Sequence, residues 1–149
     1  MTTPYVTNPE ADTYFESRLH SDAWDTATDI NQTKATKEAT LIIDRLNFLG
    51  KKSSDTQPNQ FPQNDDSVIP EDVKYATCEI TLALLDGIDP EMEYENLFMT
   101  SQQYSNVRST YDRSRIPVNY VAGVPSMRAW RYLQPYLRDH QTVHLNRKS

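Results

Sequence analysis

Two stretches carry apolar residues at the three- and four-residue spacing of a helix face, and they constrain the fold more than any other feature of the chain. In residues 33–49 the stripe is Ala35, Ala39, Ile42, Ile43, Leu46 and Leu49, with Gly50 where a helix C-terminal cap belongs. The second stripe is Val73, Ala76, Thr77, Ile80, Ala83 and Leu84, opened by Pro70 and closed by Gly87. Leu82 and Leu85 add apolar surface off that face, so this helix is expected to be the most enclosed. The expectation is an all-α fold, a small helical bundle.

Shorter elements surround these two. Asn8 reads as a helix N-cap with Pro9 at the first helical position, and Ala11, Tyr14, Phe15 and Leu19 then share a face. Residues 20–29, HSDAWDTATD, read as a second short turn anchored by Trp24. Residues 50–68 form a polar, proline-containing loop from which Phe61 is expected to fold back onto the body. Asp89 and Pro90 open a short acidic helix, PEMEYENLF. Through residues 100–123 the helical period disappears, as in extended chain or an edge strand. Pro125 opens a last short helix with Met127, Trp130 and Leu133 at steps of three, and Pro135 closes it. A polar tail follows. Residues 1–97 are therefore expected to be a helical body, and residues 98–149 a long, partly extended C-terminal arm ending in a helix and tail.

Charge divides the chain at the same place. Residues 1–97 hold 7 Lys and Arg against 19 Asp and Glu, a net of −12, whereas residues 98–149 hold 8 against 2, a net of +6 within a whole-chain charge of −6. Seven of those eight cations are arginine, the type suited to bidentate and stacked contacts. Six of the nine tyrosines fall at residues 94–136 and interleave with them. Such a segment fits a protein interface, where Tyr, Trp and Arg concentrate binding energy, or single-stranded nucleic acid, where aromatics stack and arginines neutralise phosphates. An arm folded on its own body is the third reading. The acidic body repels a polyanion, so charge balance favours protein contact.

No motif for catalysis is present. Cys78 is the one thiol and sits among core positions of the second long helix, so it reads as a small buried hydrophobe, and internal disulfides are excluded. His140 and His144 share a helical spacing but lack further ligands. Three glycines cannot build a phosphate-cradling loop. The chain is expected to be no enzyme and to use no cofactor or metal. It carries neither an apolar run of ~18 residues nor a secretory leader, which reads as a soluble cytoplasmic product.

Several stretches together resemble a known family. TYFESRLHSDAWDTA (13–27), ATLIIDRLNFLGKK (39–52), IPEDVKYATCEITLALLDG (69–87), ENLFMTSQQYSNVRSTYDRS (95–114) and VPSMRAWRYLQPYL (124–137) recur in that order in tailed-phage proteins labelled DnaT-like single-stranded DNA-binding protein. These are similar to head–tail adaptor proteins. The resemblance implies a structural subunit in the virion neck, assembled in the host cytoplasm. It implies a ring, dodecameric in such adaptors, that lies below the portal protein and extends the DNA channel. Tail or nozzle proteins would dock on it, and packaged DNA would pass without sequence-specific binding. Candidate contacts with the portal and sister subunits are Tyr104, Arg108, Tyr111, Arg113, Arg115, Trp130, Arg131, Tyr132 and Tyr136. The alternative is a single-stranded DNA-binding protein that uses the same Arg/Tyr arm.

Overall fold

The structure, a computed structural model, describes residues 3–89, 91 and 118–138. Among these it is all-α: helices α1 (Asn8–Phe15), α2 (Asp22–Thr26), α3 (Asp29–Asp44), α4 (Glu71–Leu85), α5 (Val118–Val121) and α6 (Met127–Leu133), then a 3₁₀ turn, Gln134–Tyr136. None is long and apolar enough to cross a membrane. The acidic helix expected after Asp89 lies outside the described residues apart from Glu91, as does most of the expected extended segment. Near the end of that segment, Val118–Val121 are helical instead.

Two helix starts are set by a threonine hydroxyl that precedes the expected position. Thr7, not Asn8, caps α1: its hydroxyl accepts from the Glu10 backbone N–H at 3.3 Å while the Glu10 carboxylate accepts from the Thr7 N–H at 2.8 Å. This reciprocal pair satisfies two donors that the first turn leaves free. Because α1 ends at Phe15, Leu19 falls off the expected face and is 77% exposed. Thr28 caps α3, which therefore begins at Asp29, ahead of the expected start at residue 33. At its other end α3 stops at Asp44, so Leu49 lies beyond it and is exposed, and Gly50 caps nothing. Gly50 serves a close approach, since a Cβ there would meet the Gln63 side chain at 2.5 Å.

α4 follows the sequence pattern closely. Pro70 precedes it, and eight of its residues from Val73 to Leu82 are buried. Gly87 takes φ +91°, while Ile88 N–H donates to Ala83 C=O and Gly87 N–H to Leu84 C=O, both at 3.1 Å. These are the two bonds of a Schellman cap, which needs a residue tolerant of left-handed φ.

α4 is the central element, packed against α3 and α6, with lesser contacts from α1 and α2. One core cluster joins Ile43, Phe48, Phe61, Val73, Ile80, Val124, Trp130 and Leu133, and a smaller one joins Val6, Phe15, Trp24 and Cys78. Trp24 is the anchor expected of α2, and its indole N–H donates to Asp12 at 2.8 Å. Phe61 does fold back, packing edge-on against Phe48 and Tyr136 with centroids 4.9 and 5.7 Å away. The loop around it is more ordered than its polar sequence suggests: Lys52 and Gln63 pair as an antiparallel bridge.

The helix expected in a peripheral arm, α6, is part of this core. Val124, Ala129, Trp130, Leu133 and Leu137 are all buried in the same cluster as α3 and α4. Leu137 pairs with Phe48 in a second antiparallel bridge, and backbone bonds from Leu49 to Tyr136 and from Arg138 to Asn47 fasten the chain beyond α6 to the end of α3.

Candidate functional site

The expected contact residues divide three ways. Tyr104, Arg108, Tyr111, Arg113 and Arg115 lie outside the described residues. Trp130 is a correction: it is 5% exposed and faces inward beside Ala129 and Leu133, because α6 needs its largest apolar side chain to cover α4. Arg131, Tyr132 and Tyr136 remain at least partly accessible. Tyr136 leans edge-on against Phe61, and its hydroxyl reaches Asp72 at 3.5 Å. Burial and then Asp72 push its ionisation upward.

Tyr132 leads to a feature that the sequence pattern does not reveal. Its ring lies 5.6 Å from that of Tyr75 on α4, and Tyr75 lies 5.3 Å from Tyr14 on α1, with planes tilted by 57° and 32°. All three rings are half-buried. They form a ladder across three helices, and an open depression of about 530 Å3 beside them is also lined by Thr13, Ser17, Lys74 and the carboxylates Glu10 and Glu71. Helical spacing places Tyr14 on a core face and gives Tyr75 no role. The available signal is that Tyr75 falls outside the apolar stripe of α4, as a surface-facing aromatic does.

Carboxylates surround the ladder, Glu10 and Glu71 on the depression itself. Glu79 is buried on α4 and receives two bonds from Arg18, from Nε at 2.8 Å and from Nη2 at 3.1 Å, together with the Tyr14 hydroxyl. This forked pairing with Glu79 raises the Arg18 guanidinium further. Burial and then Glu79 raise Tyr14, so its hydroxyl stays protonated as a donor. Glu71, beside the Tyr75 hydroxyl, raises Tyr75, with a smaller effect from Asp72. Glu10 is paired with Lys74 at 2.9 Å, and that hydrogen bond holds its carboxyl below the usual range. Glu10 and Glu79 thus already have cationic partners. On α6, Arg128 sits one helical turn before Tyr132 and Arg131 just before it. Both are exposed and make no ion pair among the described residues.

Cys78 is 1% exposed, and burial pushes its thiol up to about 12, the opposite of what a nucleophile requires. Among the described residues no three His, Cys, Asp or Glu side chains cluster as metal ligands. His140 and His144 lie outside that set.

A family model described as "Putative DnaT-like ssDNA binding protein" matches residues 3–145. The chain belongs to this family. The match runs through the acidic body and the basic C-terminal third alike, so this DnaT-like chain is covered almost end to end. No curated protein and no solved structure matches it.

Proposed function

We propose that this DnaT-like chain binds single-stranded DNA through its basic C-terminal third. Membership of the family over residues 3–145 is the observation that carries the reading. Its electrostatics need the segregation of charge found here, since the net of +6 in residues 98–149 would be the part that meets phosphates. Exposed Arg128 and Arg131 support the same assignment. The test is fluorescence anisotropy of the full chain with a labelled oligothymidylate over a salt series. Micromolar or tighter binding is expected near ~150 mM salt. Log affinity should fall against log salt by about 0.7 for each phosphate neutralised. Absence of binding at ~50 mM salt sinks the reading.

A second reading has its own support: a non-enzymatic head–tail adaptor, a ring-forming subunit between a phage portal and its tail. The resemblance points there. So do the −12 charge of residues 1–97 and exposed apolar side chains such as Leu41, Leu49, Val68 and Met127. An acidic body lining a channel lets DNA pass without adhering, and surface apolar groups gain by burial between subunits. Under this reading the pure chain shows no strand affinity at low salt. It sediments as a multimer alone or with portal protein.

A further inference from the structure

We infer that the Tyr14–Tyr75–Tyr132 ladder is a stacking site for unpaired nucleobases, a proposal that rests on the single-strand reading above. Three observations converge on it. The rings come from α1, α4 and α6 and are spaced 5.3 and 5.6 Å apart, and the tie from Tyr14 to Glu79 restrains one end of the series. Rings held in advance lose little freedom when a base joins them. The adjoining depression of about 530 Å3 lies within the ~300–1,000 Å3 typical of small-ligand sites, and its Thr13 and Ser17 hydroxyls, which donate to the Pro9 and Tyr14 carbonyls, can accept from an amino or imino group of a base. Finally, the charge around it suits a phosphate backbone better than the body's total implies.

That last point follows from pairing. Lys74 neutralises Glu10 and Arg18 neutralises Glu79, which leaves Glu71 and Asp72 as the carboxylates near Tyr75 without an ion pair among the described residues. Arg128 and Arg131 offset them in number and stand at the Tyr132 end, likewise without ion-pair partners among the described residues. A strand could therefore lay bases along the tyrosines while its phosphates face α6. The ladder also spans the charge boundary of the chain, since Tyr132 comes from the basic third and Tyr14 and Tyr75 from the acidic body. Stacking reads the π-face common to every base, so the site carries no sequence preference of its own.

The experiment measures binding of a labelled oligothymidylate of about 16 nucleotides to the full chain and to Tyr75→Ala, Tyr75→Phe and Arg128→Ala/Arg131→Ala. Removal of a stacking ring should weaken Tyr75→Ala by roughly 5- to 100-fold with the salt slope unchanged, and Tyr75→Phe should stay near wild type. The double arginine variant should flatten the salt slope by about 0.7 for each phosphate it no longer neutralises. Photocrosslinking of 5-iododeoxyuridine oligonucleotides to the wild-type chain needs no variant, and adducts at Tyr75 or Tyr132 are expected. Wild-type affinity in a folded Tyr75→Ala, or adducts confined to residues 98–117, overturns the ladder while leaving single-strand binding intact. Failure of the wild-type chain to bind overturns both. Cross-links at Tyr75 between two copies without DNA would assign the ladder to self-association and overturn it as well.

Discussion

Trp130 shows how one side chain can be recognised for its chemistry and misplaced in space. Set between Arg128 and Arg131, it looks like an interface anchor, yet it is buried against α4 and its indole N–H finds no hydrogen-bond partner among the described residues. Its contribution is packing. Trp130→Ala should cost about 3–5 kcal/mol. Trp130→Phe keeps most of the ring and removes an unsatisfied donor, so its melting temperature should stay close to wild type. Neither outcome fits a surface contact, where the alanine variant would keep its stability and lose only a partner. Thermal melts of the two variants decide it.

At the scale of elements, the sequence reveals where helices are more reliably than where they stop. The stripe in α4 and the anchoring roles of Trp24 and Phe61 are legible, because burial on a helix face or in a polar loop leaves few other places for a large apolar group. Leu19 and Leu49 are harder to place. Periodicity continues through them, while the backbone leaves the helix earlier, at Phe15 and Asp44. The tyrosine ladder is out of reach for a different reason: its members sit on three helices 61 and 57 residues apart in sequence, and only packing brings them together.

The end of α3 also carries a testable electrostatic junction. Asp44 accepts hydrogen bonds from the Tyr5 hydroxyl and, at 3.2 Å, from the Gln60 backbone, tying the N-terminal segment and the loop to the helix. Burial raises its carboxyl, and this outweighs the opposing effects of Tyr5, the Gln60 backbone and Lys52. A carboxyl raised in the folded state binds its proton more tightly there than when unfolded. Its stabilising contribution is therefore full below the ordinary carboxyl range and is lost as pH rises through the higher folded value. Glu10, depressed by Lys74, has the opposite sign, with stability present above its unfolded value and lost as pH falls. Urea denaturation of wild type and Asp44→Asn from about pH 4 to 7 separates them, because Glu10 is common to both. Wild type should lose stability relative to Asp44→Asn as pH rises through this range. A constant difference would exclude this role for Asp44.

For the whole molecule, the charge boundary and the packing boundary do not coincide. Charge changes sign after residue 97, but Val124, Trp130, Leu133 and Leu137 complete the core of the acidic body. Four such side chains at about 1.5–3 kcal/mol each are comparable with the ~5–15 kcal/mol that holds an ordinary domain together. The basic third therefore cannot be removed as an appendage, and a body ending at residue 97 would lack part of its own interior.

The fastening of the chain beyond α6 to the end of α3 has one more consequence. Residues 92–117 run between two moored points, the Gly87 cap of α4 on one side and Val124, just beyond α5, on the other. Because α4 and α6 pack against each other in one core, a chain cut once between residues 92 and 117 should stay together as two halves non-covalently mated through those helices. Under native size exclusion the nicked material should co-elute at the intact position, and it should fall into two pieces only in denaturant. Separation of the fragments without denaturant would mean that α6 is held by its covalent tether and not by the core.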